Sequence, residues 1–380
     1  MKNDNGGQTV SGQLAEPVLA SRTGKLARNL DVTTKRFVTL DGMRGVAAIL
    51  VVFFHLGQRP GGLQFPGYLA VDLFFALSGF VIAMSYTNRF DSGLGVGRFF
   101  EMRLIRLFPL HAMGTILGLF RQVLLGAFHG NGAMRPSVLA AAFAFNFFMI
   151  PDLLAANLFP LNGPSWSLFF EIGINVCFAA YLWKAPTWLI TVIMALSMLG
   201  LCIAISAPAY FSVGWSWKTF HLGIFRTSYS FLAGVLISRH VASDHRKESW
   251  WSLTTILLMV VVIAYTAPGD ARAYAEALIV SILFPLLIIA AIRFESPKIL
   301  AQPFGFLGDL SYPIYAIHWP LIGITYAVFK KLHFNPLTST VIFFIILLPV
   351  AYAAAKIDQL CRTMLSRWAS LRRTASLQSI

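Results

Sequence analysis

The stretch LDGMRGVAAILVVFFHLG, residues 40–57, is an apolar run with a cation near one end and a titratable imidazole near the other. Arg44 and His55 are 11 positions apart. In an α-helix that spacing brings them to within about 20° of the same face, separated by about 16 Å along the axis. Ionisable groups at membrane depth are costly and often functional. The alternative is that Arg44 is a topological charge and His55 an interfacial polar residue.

Composition sets the class of protein. Hydrophobic residues make up 57% of the 380 residues and charged residues 12%, a balance that does not suit a soluble domain. We predict an all-α polytopic membrane protein with about ten transmembrane helices of near bilayer-spanning length. The apolar stretches lie near residues 41–58, 67–86, 104–125, 165–183, 187–206, 220–238, 251–267, 275–292, 307–329 and 339–355. A shorter stretch, 138–150, is predicted to be re-entrant or interfacial.

Positive charge sets the predicted orientation. With both termini in the cytoplasm, most of the Lys and Arg residues fall on the cytoplasmic side, as the positive-inside rule requires. They lie in the two tails and in the loops at 87–106, 184–186, 239–250 and 293–306. We therefore predict a polar basic cytoplasmic tail at 1–36, one membrane domain at 37–355 and a basic cytoplasmic tail at 356–380. The first tail lacks the pattern of a signal peptide. The expected location is a bacterial cytoplasmic (inner) membrane.

Other functions are disfavoured by the same features. The net charge of +14 is explained by cytoplasmic loops, so nucleic acid is not an expected partner. The cysteines are isolated and odd in number, and the histidines show no ligand spacing, so neither a disulfide framework nor a metal site is expected. The cysteines are Cys177, Cys202 and Cys361.

Several polar residues are predicted at a depth comparable with that of His55. Asp72, in YLAVDLFFALSGF, is placed near the outer end of the second helix, where its carboxylate could orient the imidazole as in a catalytic triad. Arg226, in FHLGIFRTSYS, needs a carboxylate partner within the membrane, and Asp72 and Glu171 are the candidates. Such a pair could also serve only to hold helices together.

Three further motifs contain polar residues. In WSLFFEIGIN, the side chains of Ser167, Glu171 and Asn175 recur every four residues and predict a polar stripe that faces the bundle interior. RFFEMRLIRLFPLH places Arg103 and Arg106 on one helix face, which suits phosphate binding but is also common where a helix enters the cytoplasm. SYPIYAIHWPL contains His318, a secondary candidate for the active site. The alternative is that His318 only forms a hydrogen bond between two helices.

Five of these blocks occur in one order: LDGMRG with the Arg44–His55 spacing, VDLFFALSGFVI, RxxR at 103–106, WSLFFE and SYPIYAIHWPL. Together they resemble the acyltransferase-3 family of integral membrane O-acyltransferases, over about residues 38–355. The resemblance implies transfer of an acyl group, usually acetyl from cytoplasmic acetyl-CoA, to a hydroxyl of a glycan or related molecule. It also implies functional importance for His55, Arg44, Arg103 and Arg106. No soluble domain of the kind some relatives carry is expected after the last helix.

The depths of these groups give a mechanistic hypothesis. Arg103 and Arg106, with Arg44, hold the phosphates of acyl-CoA, a co-substrate, and no cofactor is bound permanently. The thioester reaches His55, whose unperturbed pKa of about 6.5 suits a general base. A covalent acyl-histidine is the alternative route.

The remaining residues have predicted supporting roles. Asp72 or Glu171 orients the imidazole, while Ser78, Trp166 and Ser167 shape the acceptor site or donate to the oxyanion. The acceptor stays open among exopolysaccharide, lipopolysaccharide, a lipid-linked precursor and a small glycosylated molecule, and membrane lipids are expected partners. The rival hypothesis is a proton-coupled transporter of a small molecule, since intramembrane His, Asp, Glu and Arg also form proton relays.

Overall fold

The computed structural model describes residues 36–62, 64–129, 134–204, 211–241, 246–269 and 271–378. Regular structure in these ranges is almost entirely helical, which confirms the all-α prediction. The helices are α1 (Val38–Gly57), α2 (Ala70–Asp91), α3 (Val96–His129), α4 (Pro136–Phe147), α5 (Ser165–Cys177), α6 (Thr187–Ala204), α7 (Phe220–His240), α8 (Trp251–Ala264), α9 (Ala271–Leu278), α10 (Phe284–Arg293), α11 (Lys298–Lys331) and α12 (Pro336–Gln378).

Short elements complete the description. Single π-helical turns, Phe178–Leu182 and Ile279–Leu283, continue α5 and α9. Turns of 3₁₀-helix precede α2 at Gly67–Leu69 and α7 at Trp217–Thr219. Two parallel strands, β1 (Lys247–Glu248) and β2 (Phe294–Glu295), pair next to α8 and α10. The long apolar runs form helices because the bilayer core offers no water, so each backbone N–H and C=O must find a partner within its own segment.

In the part of the chain that the structure describes, eight helical segments are long and apolar enough to cross a membrane by length and composition. They are Val38–Gly57, Gly67–Asp91, Val96–Ala127, Ser165–Leu182, Thr187–Ala204, Trp217–His240, Ala271–Arg293 and Pro336–Thr374. The other two predicted spans correspond to α8, with 14 residues, and α11, with 34. The total of ten crossings stays a prediction. The stretch predicted to be too short to span forms α4, with 12 residues.

The bundle centre is built on two helix pairs, α1 with α11 and α2 with α7. Glycines allow the second pair to approach closely. A Cβ added at Gly79 would lie 2.0 Å from the carbonyl oxygen of Phe231, and one added at Gly234 would lie 1.9 Å from that of Ala76. Small residues at such crossings are typical of membrane helices, whose association relies on close van der Waals packing.

Gly234→Ala is expected to lower the unfolding temperature of the detergent-solubilised protein, because the added methyl group can be accommodated only by separating α2 from α7. Overpacking of this kind costs about 1–3 kcal/mol. The matched control is Gly173→Ala on α5, where a Cβ would meet nothing within 4 Å. Thermal unfolding followed by intrinsic fluorescence gives the comparison. Equal unfolding temperatures for the two variants would contradict the close contact.

Candidate active site

The packing of α1 on α11 brings two histidines into contact. Nε2 of His318 lies 3.0 Å from Nδ1 of His55, and the ring centroids are 5.0 Å apart. His318 is fully buried, whereas His55 is partly exposed. Trp319 packs its ring edge-on to His55 at a centroid distance of 4.9 Å. The sequence indicated each histidine separately but not that they touch.

Their hydrogen-bond partners assign the tautomers. Nδ1 of His318 lies 2.8 Å and 3.2 Å from the carbonyl oxygens of Tyr315 and Ile314. Nδ1 of His55 lies 3.0 Å from the carbonyl oxygen of Val51. Because carbonyl oxygens only accept, both Nδ1 atoms carry the proton. Nε2 of His318 then accepts from Nδ1–H of His55.

This assignment leaves Nε2 of His55 unprotonated. It makes no hydrogen bond to any residue that the structure describes. Its lone pair is therefore available to a proton or an electrophile. A neutral imidazole oriented through its other nitrogen is the arrangement that general-base and nucleophilic catalysis both require.

Asp72 lies in the first turn of α2, as predicted, but its carboxylate bonds to Arg226 and not to His55. Its carboxylate accepts hydrogen bonds at 2.6–3.0 Å from Nε and Nη2 of Arg226, and at 3.3 Å from the hydroxyl of Ser230. Asp72 and Arg226 are 0% and 1% exposed. The prediction that Asp72 orients the His55 imidazole is therefore wrong in this geometry, because the stronger buried cation engages the carboxylate. Arg226 does have the carboxylate partner that the sequence required.

The Arg226 guanidinium has further partners besides Asp72. It donates to the carbonyl oxygens of Val213, at 3.2 Å, and Tyr68, at 2.7 Å. The ring of Trp166 stacks against it, with its centroid 5.3 Å from Cζ. Trp166 thus supports a buried ion pair and is not in contact with the histidine pair. Such a set of partners is what allows a charge to stay buried.

Glu171 likewise pairs with an arginine. Its Oε1 accepts from Nη2 of Arg103 at 2.9 Å and from the hydroxyl of Ser78 at 2.8 Å. The prediction that Glu171 orients His55 therefore does not fit either. The stripe of Ser167, Glu171 and Asn175 faces the interior as predicted, with Ser167 and Asn175 buried.

Ser167 connects this stripe to α11. Its hydroxyl lies 2.7 Å from the hydroxyl of Tyr315 and donates to the carbonyl oxygen of Pro164 at 3.0 Å. The backbone of Tyr315 in turn holds His318. Ser167 thus acts on the histidine pair only through α11. Tyr315 was not identified from the sequence, because its importance depends on this contact between helices.

The three arginines predicted to bind phosphate differ in their surroundings. Arg44 donates to Ser311, Asp41 and the Gly308 carbonyl oxygen at 2.9–3.1 Å, which ties α1 to α11. Arg103 is buried against Glu171. Arg106 is exposed and forms no hydrogen bond or ion pair with a residue in the described ranges. Arg106 is the cation of the three that is open to an anionic ligand.

Comparisons with known proteins identify relatives. A family model described as an acyltransferase domain, of the acyltransferase-3 type, matches residues 37–356. Protein 2 in the picA locus of Rhizobium radiobacter is 34% identical over 184 residues, 45% of this chain and 95% of that protein. The peptidoglycan O-acetyltransferase OatA of Listeria monocytogenes is 22% identical over 333 residues, 80% of this chain and 52% of that protein.

A putative peptidoglycan O-acetyltransferase of Bacillus subtilis, YrhL, is 24% identical over 322 residues, 75% of this chain and 48% of that protein. The chain therefore spans about half the length of these two peptidoglycan O-acetyltransferase relatives. No solved structure matches the chain.

Asp72→Asn is expected to destabilise the protein strongly, because it leaves the Arg226 charge buried without its counter-ion, at a cost of about 3–5 kcal/mol. The double variant Asp72→Asn/Arg226→Met should recover part of that loss, since neither charge remains. Asp91→Asn, an exposed carboxyl at the end of the same helix, is the matched control. Thermal unfolding in detergent provides the measurement. An Asp72→Asn variant as stable as Asp91→Asn would contradict the structural role.

Proposed function

This chain belongs to the acyltransferase-3 family, and from that premise we propose that it moves an acyl group, acetyl in the simplest case, from acyl-CoA to a hydroxyl of a glycan or glycoconjugate. The observation that carries the proposal is the 3.0 Å contact between Nε2 of His318 and Nδ1 of His55, from which we assign Nε2 of His55 as unprotonated. His55 lies in the last turn of α1, where α1 packs on α11. The proposed routes are acyl-CoA from the Arg44 end of α1 and the acceptor from the Gly57 end.

The proposed reaction uses this nitrogen as a general base. Nε2 of His55 takes the proton of the acceptor hydroxyl as its oxygen attacks the thioester carbonyl carbon. The tetrahedral intermediate collapses, the carbon–sulfur bond breaks, and the CoA sulfur leaves with the proton returned by His55. During this step His55 is an imidazolium, whose Nδ1–H bond to Nε2 of His318 stabilises the charge. His318 is therefore a positioning residue.

A covalent route uses the same atom. If Nε2 of His55 attacked the thioester first, an acetyl-imidazole would form and CoA would leave before the acceptor entered. The unprotonated Nε2 serves both routes equally. They differ in one observable: only the covalent route releases CoA in an amount equal to the enzyme when no acceptor is present.

The donor site is proposed at the Arg44 end of α1. Exposed Arg106 binds a phosphate of acyl-CoA, and Arg103, whose charge is paired with Glu171, lies three residues before it on the same helix. The pantetheine arm then extends along the bundle toward His55, about 16 Å from Arg44 along α1. We assign this end to the cytoplasm because the predicted cytoplasmic loops hold most of the Lys and Arg residues. The expected location is the bacterial inner membrane.

The acceptor is proposed to be a glycan because the names of two relatives describe O-acetylation of peptidoglycan. Since each of those relatives is about twice as long as the matched region, their full activity is not carried over to this chain. The proposal is therefore a glycan hydroxyl, without a named polymer.

The test supplies acetyl-labelled acetyl-CoA and envelope extract to membranes containing the protein. Wild type should label one glycan fraction, and His55→Ala should lose about 100-fold or more of that rate, the usual contribution of a general base. His318→Gln retains an oxygen that can accept from Nδ1–H of His55, so it should keep more activity than His318→Leu. The loss in His318→Leu should appear in kcat, with little change in the KM for acetyl-CoA.

Two results would contradict the proposal. Equal labelling by wild type and His55→Ala would remove His55 from the mechanism. Equal kcat values for His318→Gln and His318→Leu would show that the hydrogen bond from His55 to His318 does not support catalysis. Solute flux without consumption of acetyl-CoA would favour the transporter alternative.

A further inference from the structure

A second group of cations lies at the other end of α1, beyond the histidine pair. Arg59 follows the end of α1 by two residues, and its Cζ lies over the ring of Tyr326, 4.7 Å from the centroid. Arg59 is four residues after His55, and its backbone N–H donates to the carbonyl oxygen of Leu56. Arg59 lies on the opposite side of His55 from Arg44, and the sequence patterns did not single it out.

Arg121 on α3 reaches the same place. Its side chain lies directly on Gly323 of α11, where an added Cβ would be 2.0 Å from Nε and 2.4 Å from Cδ. Glycine at this position therefore makes room for the arginine. Nε of Arg121 is buried and has no hydrogen-bond partner among the residues described. A buried donor without a partner carries a cost that a bound acceptor group would remove.

One face of α11 connects both cations with the candidate active site. Trp319, Gly323 and Tyr326 follow one another at i, i+4 and i+7, which places them on one side of the helix. Trp319 contacts the ring of His55, Gly323 contacts Arg121 and Tyr326 contacts Arg59. The two arginine contacts thus lie about 6 Å and about 10 Å along α11 from the residue that touches His55.

The two guanidinium groups contact α11 at Tyr326 and Gly323, which are three residues apart on one face of the helix. Neither forms an ion pair with a carboxylate in the described ranges. The contrast is with Arg226 and Arg103, whose charges are neutralised by Asp72 and Glu171. Two neighbouring arginines without a counter-ion form a site for a carboxylate or phosphate, which guanidinium groups bind bidentately.

We propose that Arg59 and Arg121 bind an acidic group of the acceptor, a carboxylate or phosphate carried by the glycan near the hydroxyl that His55 activates. This inference rests on the proposed function and narrows the substrate class to acidic glycans. The acidic group fixes the acceptor about one to two helical turns from the reacting oxygen. A neutral glycan of the same length lacks that anchor and binds more weakly.

The test uses the full chain in vesicles, with labelled acetyl-CoA and the envelope glycan fraction that wild type labels. Arg59→Gln and Arg121→Gln should each raise the acceptor KM by about tenfold or more, as expected for loss of a charge-assisted hydrogen bond. The KM for acetyl-CoA should be little changed. Gly323→Ala should act like Arg121→Gln, because its methyl group displaces the guanidinium without removing the charge.

The control is Lys331→Gln, which removes an exposed cation at the end of α11 and should leave the acceptor KM unchanged. The labelled wild-type product should bind an anion exchanger and should become a poor acceptor once its acidic groups are blocked. Unfolding temperatures show that each variant is folded.

Each contradictory outcome has a distinct meaning. A neutral product, or arginine variants that behave like Lys331→Gln, would overturn the acidic-acceptor proposal while acyl transfer stands. The activity lost in the arginine variants could instead depend on anionic lipid in the vesicle and not on the charge of the acceptor. That result would also overturn the proposal, because it would show that Arg59 and Arg121 bind lipid phosphate. If wild type labels no glycan with acetyl-CoA, the proposed function itself fails.

Discussion

The constraint on which the rest of this structure depends is that a charge inside an apolar bundle must be neutralised. Removing an ion from water costs several kcal/mol unless a partner compensates. The pairs Asp72–Arg226 and Arg103–Glu171 satisfy this requirement and tie together α2 with α7 and α3 with α5. Once these charges are paired, the remaining cations and the neutral histidines are the groups left to interact with a ligand.

The arrangement of the remaining groups follows the axis of the bundle. Arg106 lies near the Arg44 end, His55 and His318 lie further along, and Arg59 and Arg121 lie beyond them. The two groups of cations are thus separated by a pair of neutral imidazoles whose tautomers are fixed by backbone carbonyls. This order suits a reaction in which an anionic donor and an anionic acceptor approach one nitrogen from opposite ends without repelling each other directly.

The apolar pattern predicted most of the fold because the thickness of a bilayer fixes the length of a spanning helix. It predicted the short α4 for the same reason. It did not predict that α3 and α11 continue to 34 residues and α12 to 43, since water-exposed ends of a helix need no apolar pattern. The apolar pattern also did not predict that α11 stays helical through Pro303, Pro313 and Pro320.

The candidate site was predicted less completely. Ionisable residues are rare within membrane-spanning helices, and for this reason the sequence identified four candidates: His55, Asp72, Glu171 and Arg226. Which carboxylate meets which cation depends on how helices far apart in sequence dock, and spacing within one helix carries no such information. For this reason Asp72 was predicted both beside His55 and as one of two candidate partners of Arg226, and the structure shows the pair with Arg226. His318 was considered secondary although it contacts His55 directly.

The central claim is that one bundle passes an acyl group from a donor at one end to an acceptor at the other through His55. The most direct measurement uses purified protein in sealed vesicles with uniform orientation. Labelled acetyl-CoA is placed on the side of the basic loops and the acceptor glycan on the opposite side. The account predicts that label appears on the glycan while both substrates stay on their own sides. Labelling that requires both substrates on one side would contradict it.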